Sequence, residues 1–289
     1  MIEVTHTPVL LDAVVSNLVG EDDRLFVDAT VGGGGHGYHI LERYHGLRLV
    51  GIDADEEALA ASGERLAPFK DRVLLKKGNF GDLKRILHEE SIEEIDAVLF
   101  DLGISMLQMA GGRGFSFTDE SSLDMRIDRD QELTAYEVVN RYDYRALTRI
   151  IKEYGEEGDA PRIAHAIIEA RKKKAISGAR ELAAIVAGAK RGRGKIDPAT
   201  KTFQAIRIEV NGELANIETG LQDATDMVRT GGRIGVIAFH SLEDRVVKTF
   251  FKSNPRLEPT TKKPIMPGRD EIRSNRRARS AKLRIAEKR

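Results

Sequence analysis

The stretch that most constrains the fold is residues 25–37, in which a short apolar segment runs into four consecutive glycines. Residues 25–27 are typical of an inner strand of a parallel sheet, and Asp28 stands where that strand would end. Residues 32–35 permit positive φ and leave no Cβ in the way of a ligand, and a helix that begins near His36 would point its free N–H groups at the same place. The stretch therefore predicts a nucleotide-type binding site in preference to a surface turn.

Two cofactor classes fit such a turn. Gly32-x-Gly34-x-x-Gly37 matches the dinucleotide fingerprint, and Asp53 follows at the end of the next apolar segment, where an acid contacts a ribose. In a nicotinamide-dependent enzyme the glycines follow the strand directly, whereas here Asp28 lies between them. A carboxylate repels a diphosphate and attracts the sulfonium and ammonium groups of S-adenosylmethionine. The residues thus favour S-adenosylmethionine and leave a nicotinamide-dependent dehydrogenase as the alternative.

Composition limits the chemistry further. The 289 residues include no cysteine, and the sequence shows neither an N-terminal signal pattern nor an apolar run of spanning length. We therefore expect a soluble, cytoplasmic protein without disulfides, without a thiolate metal site and without a membrane partner. The P-loop, His-Glu-x-x-His and Gly-x-Ser-x-Gly motifs are also absent from the sequence. A P-loop ATPase, a zinc protease and a serine hydrolase are therefore not expected, and no metal is required.

Strand and helix patterns alternate along the first hundred residues. The predicted strands are 24–28, 47–53, 72–77 and 95–101, and the predicted helices between them are 36–44, 55–66 and 81–89. Repeated βα units predict a parallel sheet with helices on both faces and with ligands at the carboxyl ends of the strands. Asp28, Asp53 and Asp101 end three of these strands. We therefore expect their carboxyl groups to meet in one crevice.

The alternation breaks after Asp101, and from about residue 133 to residue 211 the apolar spacing is helical throughout. The later predicted elements are a strand over 231–240, a helix over 242–252, a proline-containing loop over 254–268 and a strand over 281–286. The pattern predicts an α/β core made of residues 1–110 and 213–289. An all-helical domain, residues 111–212, is inserted between its fourth and fifth strands.

Charge is unevenly distributed along the chain, although the formal net charge is +0. Residues 1–100 hold 10 Lys and Arg against 19 Asp and Glu, so the remainder is correspondingly basic. Residues 171–195 hold nine basic residues and one acidic residue, and residues 269–289 hold nine basic and three acidic residues. Such clusters predict faces that meet a polyanion such as RNA, although solvated helix faces give the same pattern. A non-catalytic RNA-binding protein is therefore a further alternative.

Long motifs follow one another from one end of the chain to the other. They are His6-Thr-Pro-Val-Leu-Leu, Asp28-Ala-Thr with Gly33-Gly-Gly-His36, Asp101-Leu-Gly-Ile-Ser105 with Gln108, Arg113-Gly-Phe-Ser-Phe117, Leu123-Asp-Met-Arg126, Tyr154-Gly-Glu-Glu157, Thr202-Phe-Gln-Ala-Ile-Arg207 with Val210-Asn211, Phe239-His-Ser-Leu-Glu-Asp-Arg245 and Arg277-Ala-Arg-Ser-Ala-Lys-Leu-Arg284. In kind and order they resemble the motifs of the RsmH (MraW) family of S-adenosylmethionine-dependent 16S rRNA cytosine-N4 methyltransferases, which modify a cytidine of the decoding region. The resemblance implies a Rossmann-like class I methyltransferase sheet with an inserted helical substrate-recognition domain. It also implies S-adenosyl-L-methionine as cofactor and 16S rRNA, within the small ribosomal subunit, as partner.

The same resemblance assigns the cofactor contacts, which fall on Gly34, Gly35, His36, Asp53, Phe80, Asp101 and Gln108. From the chemistry of the cofactor, Asp53 would accept hydrogen bonds from the ribose hydroxyls. Phe80 would pack on the adenine or in the core, and Asp101 would lie beside the reacting methyl group. Asp101 is therefore the candidate catalytic residue, as a hydrogen-bond acceptor for the cytosine amine.

Substrate contacts are predicted at two further places. Phe115 and Phe117 would stack on an unstacked cytosine, with packing in the hydrophobic core as the alternative. His240, Ser241 and Arg245 follow the fifth strand and would face the same crevice, with capping of the next helix as the alternative for His240.

Two motifs depart from the usual form of the family. Where the family usually reads Ser-Ser-Pro-Gln-Leu-Asp, this chain has Ser105-Met-Leu-Gln-Met-Ala110. The segment that presents Gln108 thus lacks a proline, and we expect it to be less rigid. Asn275-Arg-Arg-Ala-Arg279 replaces the usual Asn-Pro-Arg-Ala-Arg, which adds charge to a stretch expected to face phosphate.

Overall fold

The computed structural model describes residues 8–105, 108–109, 111–117, 122–192 and 197–289. The chain folds as two compact units, which are Met1–Gly103 together with Leu214–Arg289, and Ile104–Glu213. We call them the sheet unit and the helical unit. Their boundaries fall after Gly103 and after Glu213, whereas the sequence pattern predicts boundaries after residues 110 and 212.

The sheet unit is built on seven strands. They are β1 (Leu25–Asp28), β2 (Arg48–Asp53), β3 (Val73–Lys77), β4 (Ile95–Asp101), β5 (Val228–Ala238), β6 (Leu257–Pro259) and β7 (Lys282–Lys288). Their order across the sheet is β3-β2-β1-β4-β5-β7-β6. The five strands β1 to β5 run parallel to one another, whereas β7 pairs with β5 and with β6 in antiparallel fashion. The α/β prediction is confirmed, but the sheet is mixed rather than all parallel, and the predicted loop over 254–268 contains β6.

Helices cover the sheet and form the helical unit. In chain order, the α-helices whose bounds the structure describes are α1 (Leu11–Leu18), α2 (Gly35–Arg43), α3 (Glu56–Leu66), α4 (Leu83–Glu89), α5 (Ala135–Arg141), α6 (Tyr144–Glu153), α7 (Ala160–Lys173), α8 (Ala179–Ala189), α9 (Thr200–Asn211), α10 (Glu213–Met227), α11 (Ser241–Ser253) and α12 (Arg269–Ser274). Within the described ranges, every helix is too short or too polar to cross a membrane.

Each face of the sheet carries a hydrophobic core, which explains why the inner strands read as continuous apolar runs. Phe26 and Val27 are neighbours in β1, and both are 0% exposed. Because successive strand side chains point to opposite faces, Phe26 joins the core that includes Ile40 of α2, whereas Val27 joins the core that includes Leu221 of α10. Burial of each such side chain stabilises the fold by roughly 1.5–3 kcal/mol.

The helical unit has a core of its own. Leu147, Ile150 and Ile151 of α6 are fully buried, which is the spacing expected for one face of a helix. The described part of this unit contains no regular strand, and one isolated bridge joins Ser122 to Gly178. Helical apolar spacing therefore predicted the class of structure of the insertion correctly.

The strand order reverses beside β1, which has β2 on one side and β4 on the other. Asp28, the last residue of β1, lies opposite Gly51 of β2 and Leu99 of β4. In open α/β sheets, ligands bind outside the carboxyl ends of the strands at such a switch point. The ends of β1, β2 and β4 are therefore where the fold places a ligand.

Candidate functional site

The loop from β1 to α2 places glycine residues, which have no side chains, at the switch point. Gly34 has φ 74° and directly precedes α2, and its N–H donates to the Val31 carbonyl at 2.8 Å. Glycine suits this left-handed conformation because a Cβ would strain it. At Gly33, by contrast, no described atom lies within 4 Å of the place that a Cβ would take. Among the described residues, the loop is therefore open at Gly33.

Asp53, at the end of β2, holds the start of this loop. Its Oδ2 accepts the Gly32 N–H at 2.9 Å, and its Oδ1 accepts the Asp55 N–H at 2.9 Å. Burial raises the pKa of Asp53 to about 6, against the effect of these backbone hydrogen bonds. Each carboxylate oxygen has a second lone pair, so Asp53 can accept hydrogen bonds from ribose hydroxyls while it holds the loop.

Asp28, at the end of β1, is 1% exposed and accepts the Thr30 N–H at 3.3 Å. Burial, assisted by the negative charge of Asp101, raises the pKa of Asp28 to about 8. The side chain is therefore mostly protonated at neutral pH. The sequence argument treated Asp28 as an ionised carboxylate, which is the form that burial disfavours. The side chain becomes charged only as the pH rises or as a cation arrives beside it.

Asp101 ends β4 on the other side of the switch point. Its N–H donates to Oγ1 of Thr30 at 2.6 Å, which joins β4 to the loop after β1. His36, in the first turn of α2, has its Nδ1 3.8 Å from Oδ2 of Asp101. The His36 Nε2–H donates to the Val9 carbonyl at 3.0 Å, and burial lowers the pKa of His36 to about 4. A neutral imidazole thus lies beside the carboxyl group of Asp101.

Phe80 follows β3 and is half-buried. Its ring packs edge-to-face on Phe100 of β4, with 5.8 Å between the centroids. Gly220 of α10 passes so close that a Cβ there would lie 2.7 Å from the Phe80 carbonyl oxygen. Core packing therefore holds the ring of Phe80 in place, and the residue stays partly exposed.

The residues predicted after β5 lie at the start of α11. His240 is the N-cap, and its Nδ1 accepts the Glu243 N–H at 3.3 Å. The Glu243 carboxylate in turn accepts the N–H groups of Phe239 and His240, at 2.7 and 3.2 Å. This capping box gives His240 the helix-capping role that the sequence left as its alternative. Ser241 and Arg245 lie on the exposed surface of the same helix.

Gln108, Phe115 and Phe117 belong to the helical unit. The Ser105 N–H donates to Gln108 Oε1 at 2.9 Å, and the Gln108 N–H donates to Ser105 Oγ at 3.2 Å. These two reciprocal bonds have the pattern of a Ser-x-x-Gln capping box. Phe115 is 7% exposed within the core, and Phe117 packs edge-to-face on Phe203 with 6.0 Å between centroids. Both rings thus contribute to the packing of the helical unit.

Two participants were not among the predicted site residues. Thr30 joins β4 to the loop after β1, and its motif Asp28-Ala-Thr30 carried a signal that could have identified it. Val9 accepts the hydrogen bond of His36 through its carbonyl oxygen. A backbone carbonyl leaves no mark in the sequence, so this contact could be found only from the structure.

The fold and the site together define a class of protein. Five parallel strands followed by an antiparallel β7 next to β5, a glycine loop after β1, and acids at the ends of β2 and β4 characterise the Rossmann-like S-adenosylmethionine-dependent methyltransferases. The chain belongs to the MraW methylase family, whose model matches residues 3–289. The resemblance noted from the sequence motifs is thereby confirmed, and S-adenosylmethionine is the cofactor.

Full-length relatives share one name. The chain is 52% identical over 291 residues to ribosomal RNA small subunit methyltransferase H of Persephonella marina, covering 99% of each chain. It is 50% identical over 288 residues to the protein of that name from a Sulfurihydrogenibium species, covering 98% of each chain. It is 45% identical over 307 residues to that of Carboxydothermus hydrogenoformans, covering 99% of this chain and 98% of the relative. The similarity therefore extends through both units.

The residues present fit S-adenosylmethionine. In the described part of the chain, no lysine or arginine forms an ion pair with Asp28 or Asp53. Their pKa values are raised by burial, and a cationic ligand would relieve that unfavourable environment. The open side of Gly33 lies on the loop between these two residues in the chain. The ends of β1 and β2 would therefore suit a ligand that carries a positive charge together with polar groups.

Proposed function

We propose that this protein transfers the methyl group of S-adenosyl-L-methionine to the exocyclic N4 of a cytidine in the decoding region of 16S rRNA, in the cytoplasm and with the small ribosomal subunit as partner. The coarser function, methyl transfer to small-subunit rRNA, follows the name that the full-length relatives share. The observation that supports the choice of an amine is the carboxyl group of Asp101, which lies at the end of β4 beside the neutral His36.

The exocyclic nitrogen of cytosine is a weak nucleophile because its lone pair is conjugated with the ring. An enzyme must hold this nitrogen in line with the methyl–sulfur bond and accept a hydrogen bond as the nitrogen becomes tetrahedral. The sulfonium supplies an activated leaving group when the cofactor is bound. In this proposal Asp101 accepts the amino N–H, and the Thr30 hydroxyl fixes the Asp101 backbone. His36 is neutral and does not compete for the Asp101 charge, and the proton lost after attack passes to solvent.

Other methyl acceptors call for different catalytic groups. Methylation at carbon 5 of cytosine uses a cysteine that adds to the ring, and this chain contains none. Ribose methylation uses a general base, commonly a lysine, whereas the ends of β1, β2 and β4 carry Asp28, Asp53 and Asp101. An exocyclic amine needs only alignment and an acceptor. The chemistry of the site thus favours an amine, and the family resemblance selects that of cytosine.

The alternatives differ in what they predict. The alternative of a nicotinamide-dependent dehydrogenase is wrong, because the chain belongs to a methylase family. A non-catalytic RNA-binding protein would bind small-subunit rRNA without methyl incorporation. Transfer of labelled methyl groups to small subunits from cells that lack the protein therefore separates the enzyme from the binding protein.

Nucleoside mass spectrometry of the same rRNA tests the position of the methyl group. We expect one N4-methylcytidine to be gained with the wild-type protein. The rate should fall by roughly a hundredfold or more with Asp101→Ala, since the amine then has no acceptor in the transition state. Asp82→Ala, which removes a 57% exposed carboxylate of the sheet unit, should retain the rate. A gain of 5-methylcytidine or of a ribose-methylated nucleoside would contradict the assignment.

The helical unit is the proposed substrate-recognition domain, but its basic stretch 171–195 has more than one role. Arg171 donates to the Val139 carbonyl at 2.7 Å. Lys190 forms an ion pair with the 6% exposed Glu157 at 2.7 Å. These two side chains support the fold of the unit, so the RNA contacts proposed for this stretch fall on its other members.

Lys173 and Lys174, at the end of α7, are two of the exposed residues of this stretch, and within the described ranges neither forms an ion pair. We expect their joint replacement by alanine to weaken binding of a 16S rRNA fragment. The slope of the salt dependence should fall by roughly one unit for each phosphate that is no longer neutralised. Lys172 is already paired with Glu169 at 2.6 Å and should add little. Replacement of exposed Lys152, near the end of α6, is the control. An unaltered salt slope would show that the end of α7 is only solvated.

A further inference from the structure

Leu10, the residue directly before α1, has a strained backbone conformation. Leu10 has φ 55° and ψ 32°, in the left-handed region that residues with a side chain rarely adopt, and it is 4% exposed. Such a conformation persists only where surrounding contacts hold it, and strained residues concentrate at functional sites. The contacts that hold Leu10 therefore show what this segment does.

On one side the segment packs against the cofactor loop. A Cβ at Gly35 would lie 2.7 Å from Cγ of Pro8, so the proline ring sits directly on the loop backbone. The next residue, Val9, accepts the Nε2–H of His36 at 3.0 Å through its carbonyl oxygen. Gly35 and His36 are both predicted cofactor contacts, so this short segment shapes the loop that receives the cofactor.

On the other side the segment is held by α12. The Leu10 N–H donates to Oε1 of Glu271 at 2.6 Å, across 261 residues of sequence. A short hydrogen bond to a carboxylate is one of the stronger kinds in proteins. Without it, the N–H of a buried and strained residue would lose its partner.

We propose that Glu271 is a positioning residue for the cofactor loop. By accepting the Leu10 N–H, it keeps Leu10 left-handed and thereby holds the two preceding residues against Gly35 and His36. Glu271 acts through this segment and not on the reacting atoms. Its replacement should therefore weaken cofactor binding and leave the chemical step at saturating cofactor nearly unchanged.

Calorimetric titration with S-adenosylhomocysteine tests this role with three variants. Glu271→Ala should weaken binding roughly five- to tenfold, and Glu271→Gln should return it to within about threefold of wild type, because an amide oxygen accepts the same N–H. Asp270→Ala removes the same charge from the same helix at a 99% exposed position and should leave the affinity unchanged. In methylation assays, Glu271→Ala should raise the KM for S-adenosylmethionine by a similar factor while kcat stays within about twofold.

Several results would overturn the proposal. Wild-type affinity in Glu271→Ala would do so, and so would equal weakening by Asp270→Ala, which would indicate a simple charge effect. Equal weakening by Glu271→Gln would exclude the acceptor role. If Glu271→Ala does not fold, hydrogen exchange of the Leu10 amide in the wild type decides. Protection that increases with S-adenosylhomocysteine supports the proposal, and an unprotected or unresponsive amide overturns it.

Discussion

Both ends of the parallel strands, which we call the two edges of the sheet, carry largely buried carboxyl groups. The partners of these groups differ between the two edges. At the edge where the parallel strands begin, Asp23 and Asp96 share the guanidinium of Arg229, whose Nη2 lies 2.9 Å from Oδ1 of Asp23. At the edge where the strands end, Asp28 and Asp53 accept backbone N–H groups, and no fixed cation from the described residues pairs with them.

The pKa values follow this difference. Burial alone would raise the pKa of Asp96, but hydrogen bonds from Arg229 and from the N–H groups of Arg24 and Leu25 hold it below its ordinary value. At the opposite edge burial prevails, and it raises the pKa of Asp28 to about 8. We expect the carboxylates that share Arg229 to support the fold, and Asp28, which has no such cation, to suit a ligand that brings one.

The pH dependence of stability tests this contrast most strongly. The contributions of the two kinds of carboxyl group to the free energy of unfolding should change with pH in opposite directions. In the unfolded chain Asp28 ionises near 3.8, whereas in the folded protein it ionises near 8. Between these values the folded state holds a proton that the unfolded state lacks, so the contribution of Asp28 to stability is lost as the pH rises from about 4 to 8. The free energy of unfolding of Asp28→Asn, relative to wild type, should therefore increase with pH by up to about 1.4 kcal/mol per unit.

Asp96→Asn is the matched comparison at the other edge. The folded pKa of Asp96 lies below its ordinary value of 3.8, so its contribution is present above that value and is lost as the pH falls through the folded pKa. We expect this variant to be less stable than wild type at pH 7 and to approach wild type in acid. Urea denaturation at several pH values measures both series. If both differences changed with pH in the same direction, the two edges would not be distinct.

Replacement of Arg229 tests the edge of the sheet where the parallel strands begin. Arg229→Met removes the cation from Asp23 and Asp96, and we expect the free energy of unfolding to fall by about 2–4 kcal/mol because two largely buried carboxylates lose their partner. Arg85→Met, which removes a 58% exposed cation from a surface pair, should cost less than about 1 kcal/mol. Affinity for S-adenosylhomocysteine should stay unchanged in both. A decrease no larger than that of the control would mean that this edge does not stabilise the fold.

Most of the sheet could be predicted from the sequence because its strands are short apolar runs between helical segments. β4 was predicted with the bounds it has, Ile95–Asp101. β6 was missed because it has only three residues, two of them exposed, and ends in Pro259, which suits an edge strand. β5 begins earlier than predicted because it contains Gly231, with φ 77°, in a pair of glycines that reads as a turn.

The site could be predicted only as far as position. Strand ends placed Asp28, Asp53 and Asp101 at one edge, because the carboxyl ends of parallel strands coincide. Their protonation could not be predicted, because it depends on how deeply each lies and on which cation comes near it. The bond between Leu10 and Glu271 could not be predicted either, since the two residues are 261 positions apart.

Replacement of Asp53 tests the ligand edge directly and has the smallest expected effect. Asp53→Ala should weaken binding of S-adenosylmethionine by about 1–3 kcal/mol, because the ribose hydroxyls lose a charged acceptor and the Gly32 N–H loses its partner. Asp53→Asn keeps one acceptor oxygen and should weaken binding less. Calorimetry on folded protein measures both. Unchanged affinity in Asp53→Ala would remove Asp53 from the cofactor site.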